Sequence, residues 1–338
     1  MRVFSLSLFA LIFPLLLSPS AFAADAPAFE KSFVEIRPGK KLYVEIHQAE
    51  KGQPTLILLN GLTYTTDQWS SLKDALLKQN PGLGLVLYDM EDMGRTLEEG
   101  EISDVPMENQ IRDLKDLLRA LDLKGPKSVA GLSYGGGVAL WYSSLYPKDF
   151  DQVIAISPFL HRLSDQDALI KYWIEAHRRL YPWDVRSTEE LYDAYLRVLV
   201  YGTYPLAEPV ILKNPSYLEG VYRLVKGAKN WDVNSVIKNL PAGKIHLMSA
   251  EMDQHVPLRE QLAFWEQMPK EARASLLKVE NSLHKIPWDY PSFTARWILR
   301  ILQKDPALSQ GAVFQGNPLT GEIRALSPGG NRCVGNLL

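Results

Sequence analysis

The stretch Lys127-Ser128-Val129-Ala130-Gly131-Leu132-Ser133-Tyr134-Gly135-Gly136-Gly137-Val138-Ala139-Leu140 constrains this chain more than any other. Ser128 to Leu132 suits a short buried strand. From Val138 onward, Ala139, Leu140 and Trp141 suit a buried helix. Between them Gly131, Gly135 and Gly136 surround one serine. G-x-S-x-G in that setting is a nucleophile elbow, a sharp strand-to-helix turn. The glycines have a steric role, because side chains beside the serine would collide where strand and helix backbones meet. The turn presents a hydroxyl beside the positive end of a helix, whose free N–H groups can hold an oxyanion. By chance about one chain in ten of this length carries such a match, within a flexible glycine loop. The flanking strand and helix patterns therefore carry the weight, and the chain must also supply a base, an acid and a second oxyanion donor.

Buried strands alternate with helices on both sides of this turn. Phe33-Val34-Glu35-Ile36 and Leu42-Tyr43-Val44-Glu45-Ile46 alternate apolar with polar, and predict a hairpin around Pro38-Gly39. Thr55-Leu56-Ile57-Leu58-Leu59 is continuously apolar, as a strand covered on both faces of a parallel sheet must be. It ends at Asn60-Gly61-Leu62-Thr63. A helix then carries Trp69, Leu72, Ala75 and Leu76 on one face, with Asp67 as its expected cap. Leu83 to Tyr88 reads as the next strand, closing at Asp89, and Gly94-Arg95-Thr96 lies in the loop after it. Pro106 to Leu123 is amphipathic, with Ile111, Leu114, Leu117, Leu118 and Leu121 as its stripe. Asp151 to Ile156 supplies a sixth strand. The pattern predicts an α/β fold, a mostly parallel central sheet flanked by helices.

The alternation stops from 161 to 240, where helical segments and aromatic residues dominate, and resumes at Lys244-Ile245-His246-Leu247-Met248-Ser249. A helix from Pro257 to Met268, a strand from Ser275 to Val279 and a helix from Trp288 to Leu302 follow. The expected organisation is a core over 24–160 and 241–304, with a helical insertion at 161–240 after the sixth strand. The aromatics of the insertion either form its own core or line an apolar pocket over Ser133. Residues 305–338, rich in Gly, Pro, Asn and Ser, read as an irregular tail.

Arg2 is followed by an uncharged apolar run from Val3 to Leu17, then Ala21-Phe22-Ala23. A positive start, a short apolar core and an A-x-A end predict a signal peptide over residues 1–23, and so a periplasmic or secreted protein with no stable membrane span after cleavage. Export makes the cysteine count informative. Cys333 is the only cysteine, so no internal disulfide can form and the core must hold the chain together. Among 338 residues the formal net charge is −2, with no basic block, which excludes an electrostatic nucleic-acid binder.

Of six histidines, His177, His246, His255 and His284 follow Ser133 well downstream. His177 falls in the insertion and His246 inside a strand. His284 lies in a loop between the last strand and the last helix, free to turn toward the serine, and is the expected base. Glu251 and Asp253 end the preceding strand; Asp253 is the expected acid, with Glu251 as the alternative. The backbone N–H groups of Tyr134 and Leu62 are the expected oxyanion donors, Gly61 letting the chain turn inward at Leu62. No zinc-type histidine spacing is present and no cofactor is expected. Asp89, Glu91 and Asp92 suggest either a cation site or carboxylates that fix their loop.

Taken together, residues 33 to 302 resemble the α/β-hydrolase superfamily. Gly131-Leu132-Ser133-Tyr134-Gly135-Gly136 is similar to its elbow, Asp253 with Val256-Pro257 to its acid turn, and His284 with Asp289 and Pro291 to its histidine loop. Asn60-Gly61 stands where many members have His-Gly. The segment from Asp89 to Thr96 resembles the Asp-x-x-Gly-x-Gly-x-Ser loop, with Asp92 replacing the first glycine. The insertion falls where the family carries its cap. The resemblance implies a serine hydrolase acting on a small-molecule or lipid ester. An aminopeptidase or amidase, thioesterase, C–C hydrolase, perhydrolase or acyltransferase would use the same triad. An aminopeptidase would need acids such as Glu175, Glu189, Glu190 or Asp193 to hold a free amine. A silent binding member of the fold would lack a triad residue. Oligomeric state is not encoded in any of these features.

Overall fold

The computed structural model describes residues 28–62, 64–96, 107–161, 164–207, 215–327 and 330–333. The expected signal segment, residues 1–23, lies outside them. A hairpin of β1 (Glu30–Arg37) and β2 (Lys40–His47) leads into β3 (Thr55–Leu59), a 3-10 turn (Thr66–Trp69) and helix α1 (Ser70–Gln79). Then come β4 (Gly84–Tyr88), α2 (Met107–Leu121), β5 (Lys127–Leu132), α3 (Tyr134–Leu145) and β6 (Val153–Ile156). Among the described residues three helices follow: α4 (Ser164–Leu180), α5 (Thr188–Ala207) and α6 (Pro215–Gly227). The sheet resumes with β7 (Ile245–Ala250), α7 (Leu258–Gln267), β8 (Arg273–Val279), α8 (Ile286–Asp289), α9 (Pro291–Leu302), β9 (Ala312–Gly316), β10 (Ile323–Ser327) and β11 (Gly330–Cys333).

The strands form one sheet in the order β1-β2-β4-β3-β5-β6-β7-β8-β9-β10-β11. From β4 to β9 every pairing is parallel, while the two ends are antiparallel hairpins. Alternate residues of the central strands enter different layers. Ile57, Leu59, Val86 and Val129 pack with α2, α3 and α7 on one face. Leu56, Leu58, Leu85 and Ala130 pack with α1 and α9 on the other. A strand covered on both sides has no solvent face, which is why these segments are apolar throughout.

Helices α4, α5 and α6 build a separate small core from Ile170, Ile174, Leu191, Leu196, Val200, Val221, Tyr222 and Val225. The aromatics of the insertion divide. Trp173 packs tilted against Tyr195, Trp231 stacks on Trp141 of the main core at 4.1 Å, and Tyr181, Trp183 and Tyr201 are exposed.

Three expectations need correction. The segment from 305 is not an irregular tail, because β9, β10 and β11 extend the sheet beyond β8. The Pro318 and Gly321 that suggested irregularity sit between β9 and β10, and Phe314 packs edge-on against Trp297 at 5.3 Å. The last helix is broken at Tyr290, where Pro291 starts α9 as a first-turn residue and cannot continue α8. Asp67 does not cap α1: it lies inside the preceding 3-10 turn, which Thr65 caps by accepting from the Asp67 N–H on Oγ1 at 3.3 Å, and α1 starts after Trp69 without a side-chain cap.

Candidate active site

Ser133 joins β5 to α3 with φ +52° and ψ −114°, a conformation that side-chain-bearing residues rarely adopt. Three backbone bonds hold it there. Its N–H donates to Ile156 C=O at 2.9 Å, and its own C=O accepts from Gly137 at 3.0 Å and from Phe159 at 2.8 Å. Space for the turn comes from missing side chains. A Cβ on Gly131 would lie 2.2 Å from Gly135 O, and one on Gly135 would lie 2.3 Å from Leu59 O. Gly137, which the elbow pattern does not require, is equally hemmed in, with Phe159 O at 2.3 Å. As the first residue of α3, Tyr134 carries one of the helix-initial N–H groups that no intrahelical carbonyl can satisfy.

Asp253 and His284 follow β7 and β8, so they share the C-terminal edge of the parallel sheet with Ser133. In open α/β sheets that edge is where ligands bind. His284 Nδ1 donates to Asp253 Oδ2 at 2.8 Å, which leaves Nε2 as the nitrogen available to a reacting group. Asp253 Oδ1 accepts from the N–H groups of His255 and Val256, both at 2.9 Å. Burial alone would raise the Asp253 pKa, but the His284 bond and these N–H donors outweigh it and hold the carboxyl below its usual value. Glu251 is exposed and accepts from Asn281 N–H at 2.9 Å, so it ties the loop that carries His284 instead of orienting its ring.

Two further contacts fix that loop. Glu280 N–H donates to Gly316 O at 2.8 Å, and Arg324 pairs with the Glu280 carboxylate at 3.0 Å. The ring of His255 lies 4.9 Å from that of His284. Burial, His284 and Lys285 together lower the His255 pKa against the pull of Asp253. The remaining histidines are engaged elsewhere. His246 bonds Ser275 Oγ at 2.7 Å and Gln152 Oε1 at 2.9 Å, and burial pushes its pKa down to about 3. His177 bonds Tyr195 and Asp184 inside the insertion.

Leu62 follows β3 and packs between the main core and the core of the insertion. The loop before it is held by side chains that the motif does not specify. Asn60 is buried, donates to Tyr88 C=O at 3.0 Å and accepts from Trp69 Nε1 at 2.7 Å. Gln68 Oε1 accepts from Gly61 N–H at 3.0 Å. Gly61 is not at positive φ; its use is close packing, with Tyr64 3.2 Å from where its Cβ would stand. The only forward signal for Gln68 is a polar residue beside Trp69 in a turn that must be covered.

Asp89 is fully buried and accepts from the N–H groups of Thr66 at 2.7 Å and Arg95 at 2.8 Å; burial outweighs these donors and pushes its pKa up to about 6. Asp92, at φ +61°, pairs with Arg223 of α6, and Glu91 with Lys40. These carboxylates therefore fix their loop. Among the described residues no group of His, Cys, Asp or Glu is arranged to hold a metal ion. Arg223 has a sequence signal, a lone arginine among the buried Val221, Tyr222, Leu224 and Val225. A cavity of about 300 Å³ opens on the insertion, lined by Glu189, Glu190, Tyr192, Asp193, Lys226 and Lys229, and by none of the expected catalytic residues. Two of its three acids are engaged: Glu190 accepts from Ser187 N–H and Asp193 pairs with Lys226 at 2.9 Å.

Sheet order, elbow and edge-clustered loops define an α/β-hydrolase fold. A family model described as alpha/beta hydrolase fold matches residues 54–190. The chain is 29% identical over 107 residues to the monoacylglycerol lipase ABHD6 of Homo sapiens, a match covering 31% of each protein, so it spans about a third of the curated relatives it matches. The corresponding Bos taurus protein matches over the same share. Among solved structures, MGS-M2, an alpha/beta hydrolase enzyme from a Medee basin deep-sea metagenome library, has a TM-score of 0.60 at 20% identity, covering 80% of this chain and 97% of that one. The enol-lactonase from Burkholderia xenovorans LB400 has a TM-score of 0.58 at 16% identity, covering 81% and 100%. The chain therefore has the α/β-hydrolase fold, and over residues 54–190 it is similar to that family.

Proposed function

We propose that this protein is a serine hydrolase that cleaves a carboxylic ester through an acyl-enzyme. The observation that carries the proposal is the 2.8 Å bond from His284 Nδ1 to Asp253, on the sheet edge where the strained Ser133 elbow stands. Ser133 Oγ attacks the ester carbonyl as His284 Nε2 takes its proton, and Asp253 stabilises the imidazolium. The N–H groups of Tyr134 and Leu62 hold the oxyanion of the tetrahedral intermediate. Collapse breaks the C–O bond, and His284 gives its proton to the departing alcohol. Water, deprotonated by His284, then attacks the acyl-serine; the serine oxygen takes back the proton and the carboxylic acid leaves. These steps balance without a cofactor.

The likeness to a monoacylglycerol lipase supports an ester bond over an amide or C–C bond, with a small-molecule or lipid ester as substrate. Of the four acids an aminopeptidase could use, Glu190 and Asp193 are already engaged within the insertion, by Ser187 N–H and Lys226. Export directed by residues 1–23 belongs to the same proposal, and N-terminal sequencing of protein recovered outside the cytoplasm tests it. The function is tested with p-nitrophenyl esters of increasing acyl length, using the wild type and Ser133→Ala. Turnover that disappears in Ser133→Ala supports the proposal, and the chain-length profile sizes the acyl pocket. A wild type inert across the series, or a Ser133→Ala variant that retains turnover, overturns it.

A further inference from the structure

The turn around Leu62 is held from both sides, and one of those sides is the histidine loop. Before it, Gln68 Oε1 accepts from Gly61 N–H at 3.0 Å. After it, Tyr64 N–H donates to Gly61 C=O at 3.2 Å and closes the turn. The ring of Tyr64 then meets that of Trp288 edge-on, with centroids 5.9 Å apart and planes at 67°. Lys285 Nζ lies over both rings, 5.0 Å from the Tyr64 centroid and 5.3 Å from that of Trp288. Both distances fall within the reach of a cation–π attraction, about 6 Å.

Lys285 directly follows His284, and its C=O accepts from the N–H groups of Trp288 at 2.9 Å and Asp289 at 3.0 Å at the start of α8. Cation and indole are therefore tied to the residue expected to act as base. The two loops begin far apart. β3 leads to Tyr64 and β8 to Lys285, and these strands stand four spacings from each other in the sheet, about 19 Å. β5, which ends beside Ser133, is one of the strands between them. Packing of α8 on α1 and on the 3-10 turn brings the loops together, and the Tyr64 contact carries that link into the turn around Leu62. None of the three side chains is buried, and Trp288 is 49% exposed, so the contact hides little apolar surface and adds little to folding.

We propose that Tyr64, Lys285 and Trp288 are positioning residues for the hydrolytic reaction. Their cation–aromatic bridge sets the separation between the Leu62 N–H and the His284 imidazole. The proposal rests on the reading of Ser133, Leu62 and His284 given above. That reaction needs both groups at once: Ser133 loses its proton to His284 while negative charge grows on the carbonyl oxygen held by Leu62. A misplacement of about 1 Å at such a site can cost about 10²-fold in rate. The bridge acts through the two loops and not on the ester itself, so its loss should slow the chemical step and leave substrate binding unchanged.

The test pairs a p-nitrophenyl ester with a fluorophosphonate, which probes the same geometry whatever bond the enzyme cleaves. Ser133 Oγ bonds to phosphorus, fluoride leaves, His284 takes the serine proton, and the phosphoryl oxygen lies where the oxyanion would. Labelling rate, kcat and KM are measured for wild type, Tyr64→Leu, Trp288→Leu, the double variant and Trp288→Phe, which keeps a ring. The expected result is labelling and kcat at least about tenfold lower in either Leu variant, with KM within about twofold. The double variant should lose no more than the singles, Trp288→Phe should return to within about threefold of wild type, and melting temperatures should move by no more than about 3 °C. Variants that label at the wild-type rate overturn the bridge even where the wild type cleaves esters. So does a loss carried by KM, which makes Trp288 a substrate contact, or a loss that adds in the double variant. A wild type that labels but leaves esters intact removes the ester reading alone, and slower labelling of the Leu variants still supports the bridge. A wild type that does not label overturns both.

Discussion

Arg223 of helix α6 grips Asp92 of the β4–α2 loop through two nitrogens, with both side chains buried. The pair ties the helical insertion to the main core. Asp92 occupies a left-handed position where the resembling loop has glycine, and Asp is among the residues that tolerate it. Arg223→Met strands a buried carboxylate and should cost about 3–5 kcal/mol in urea unfolding. Asp92→Gly/Arg223→Met should cost much less than that, because it strands no charge. A single-variant loss below about 1 kcal/mol would mean that water reaches the pair and that the insertion is held by its apolar contacts.

Two glycine sites should respond in opposite directions. Gly131→Ala drives a methyl into the Gly135 backbone at 2.2 Å, which cannot shift without opening the elbow, so folded yield should collapse. Gly202→Ala, in α5 with nothing within 4 Å, should stabilise by about 0.5–1 kcal/mol. Thermal melts of the two variants read both effects.

Asp253→Asn keeps the size of the side chain but can favour the wrong imidazole tautomer at His284. It should lower kcat by about 10⁴-fold, whereas Glu251→Gln should stay within about threefold of wild type. Ester turnover of both variants makes the comparison. A reversed ranking would make Glu251 the acid.

His246 and Asp89 give stability opposing pH slopes. His246 is buried neutral, so its folded pKa of about 3 lies below the unfolded value near 6.5. Its contribution is full above pH 6.5 and is lost as pH falls from there toward 3, because only the unfolded state takes the proton. Asp89 has its folded pKa raised to about 6, so the folded state takes a proton first and stability rises as pH falls from 6 toward 4. His246→Gln should remove the first slope, up to about 1.4 kcal/mol per pH unit, and leave the second visible. Urea titrations at pH values from about 7 to 4 check the sign. A variant that parallels wild type would show that His246 titrates normally.

The parts of this fold that follow from local sequence are those with one dominant force. β3, β4 and β5 are legible because a strand buried on both faces must be continuously apolar. The turn at Ser133 is legible because only glycine fits where backbones approach within 2.2–2.3 Å of a would-be Cβ. Asp253 and His284 follow from strand order, since each ends or follows a recognisable strand. The supports of the loop before Leu62 do not follow: Gln68 acts on Gly61 and Asn60 on Trp69 across folds of the chain that no periodicity encodes. Residues 312–327 were obscured by turn-forming neighbours, because a five-residue edge strand has too few positions to show alternation against Pro318 and Gly321. The Arg223–Asp92 pair spans 131 positions and belongs to tertiary structure alone.

The clamp on Glu280 has a temporal side. On a ribosome, Ser133, Asp253 and His284 emerge well before Gly316 and Arg324, which hold the start of the His284 loop. Until β9 is made, β8 is an open parallel edge, the kind of surface that recruits other strands. Synthesis therefore delivers the expected catalytic groups before it delivers the piece that steadies them. A chain stopped between His284 and β9 would carry every expected catalytic group and still present its most adhesive edge. For such a product, aggregation competes directly with the setting of its histidine.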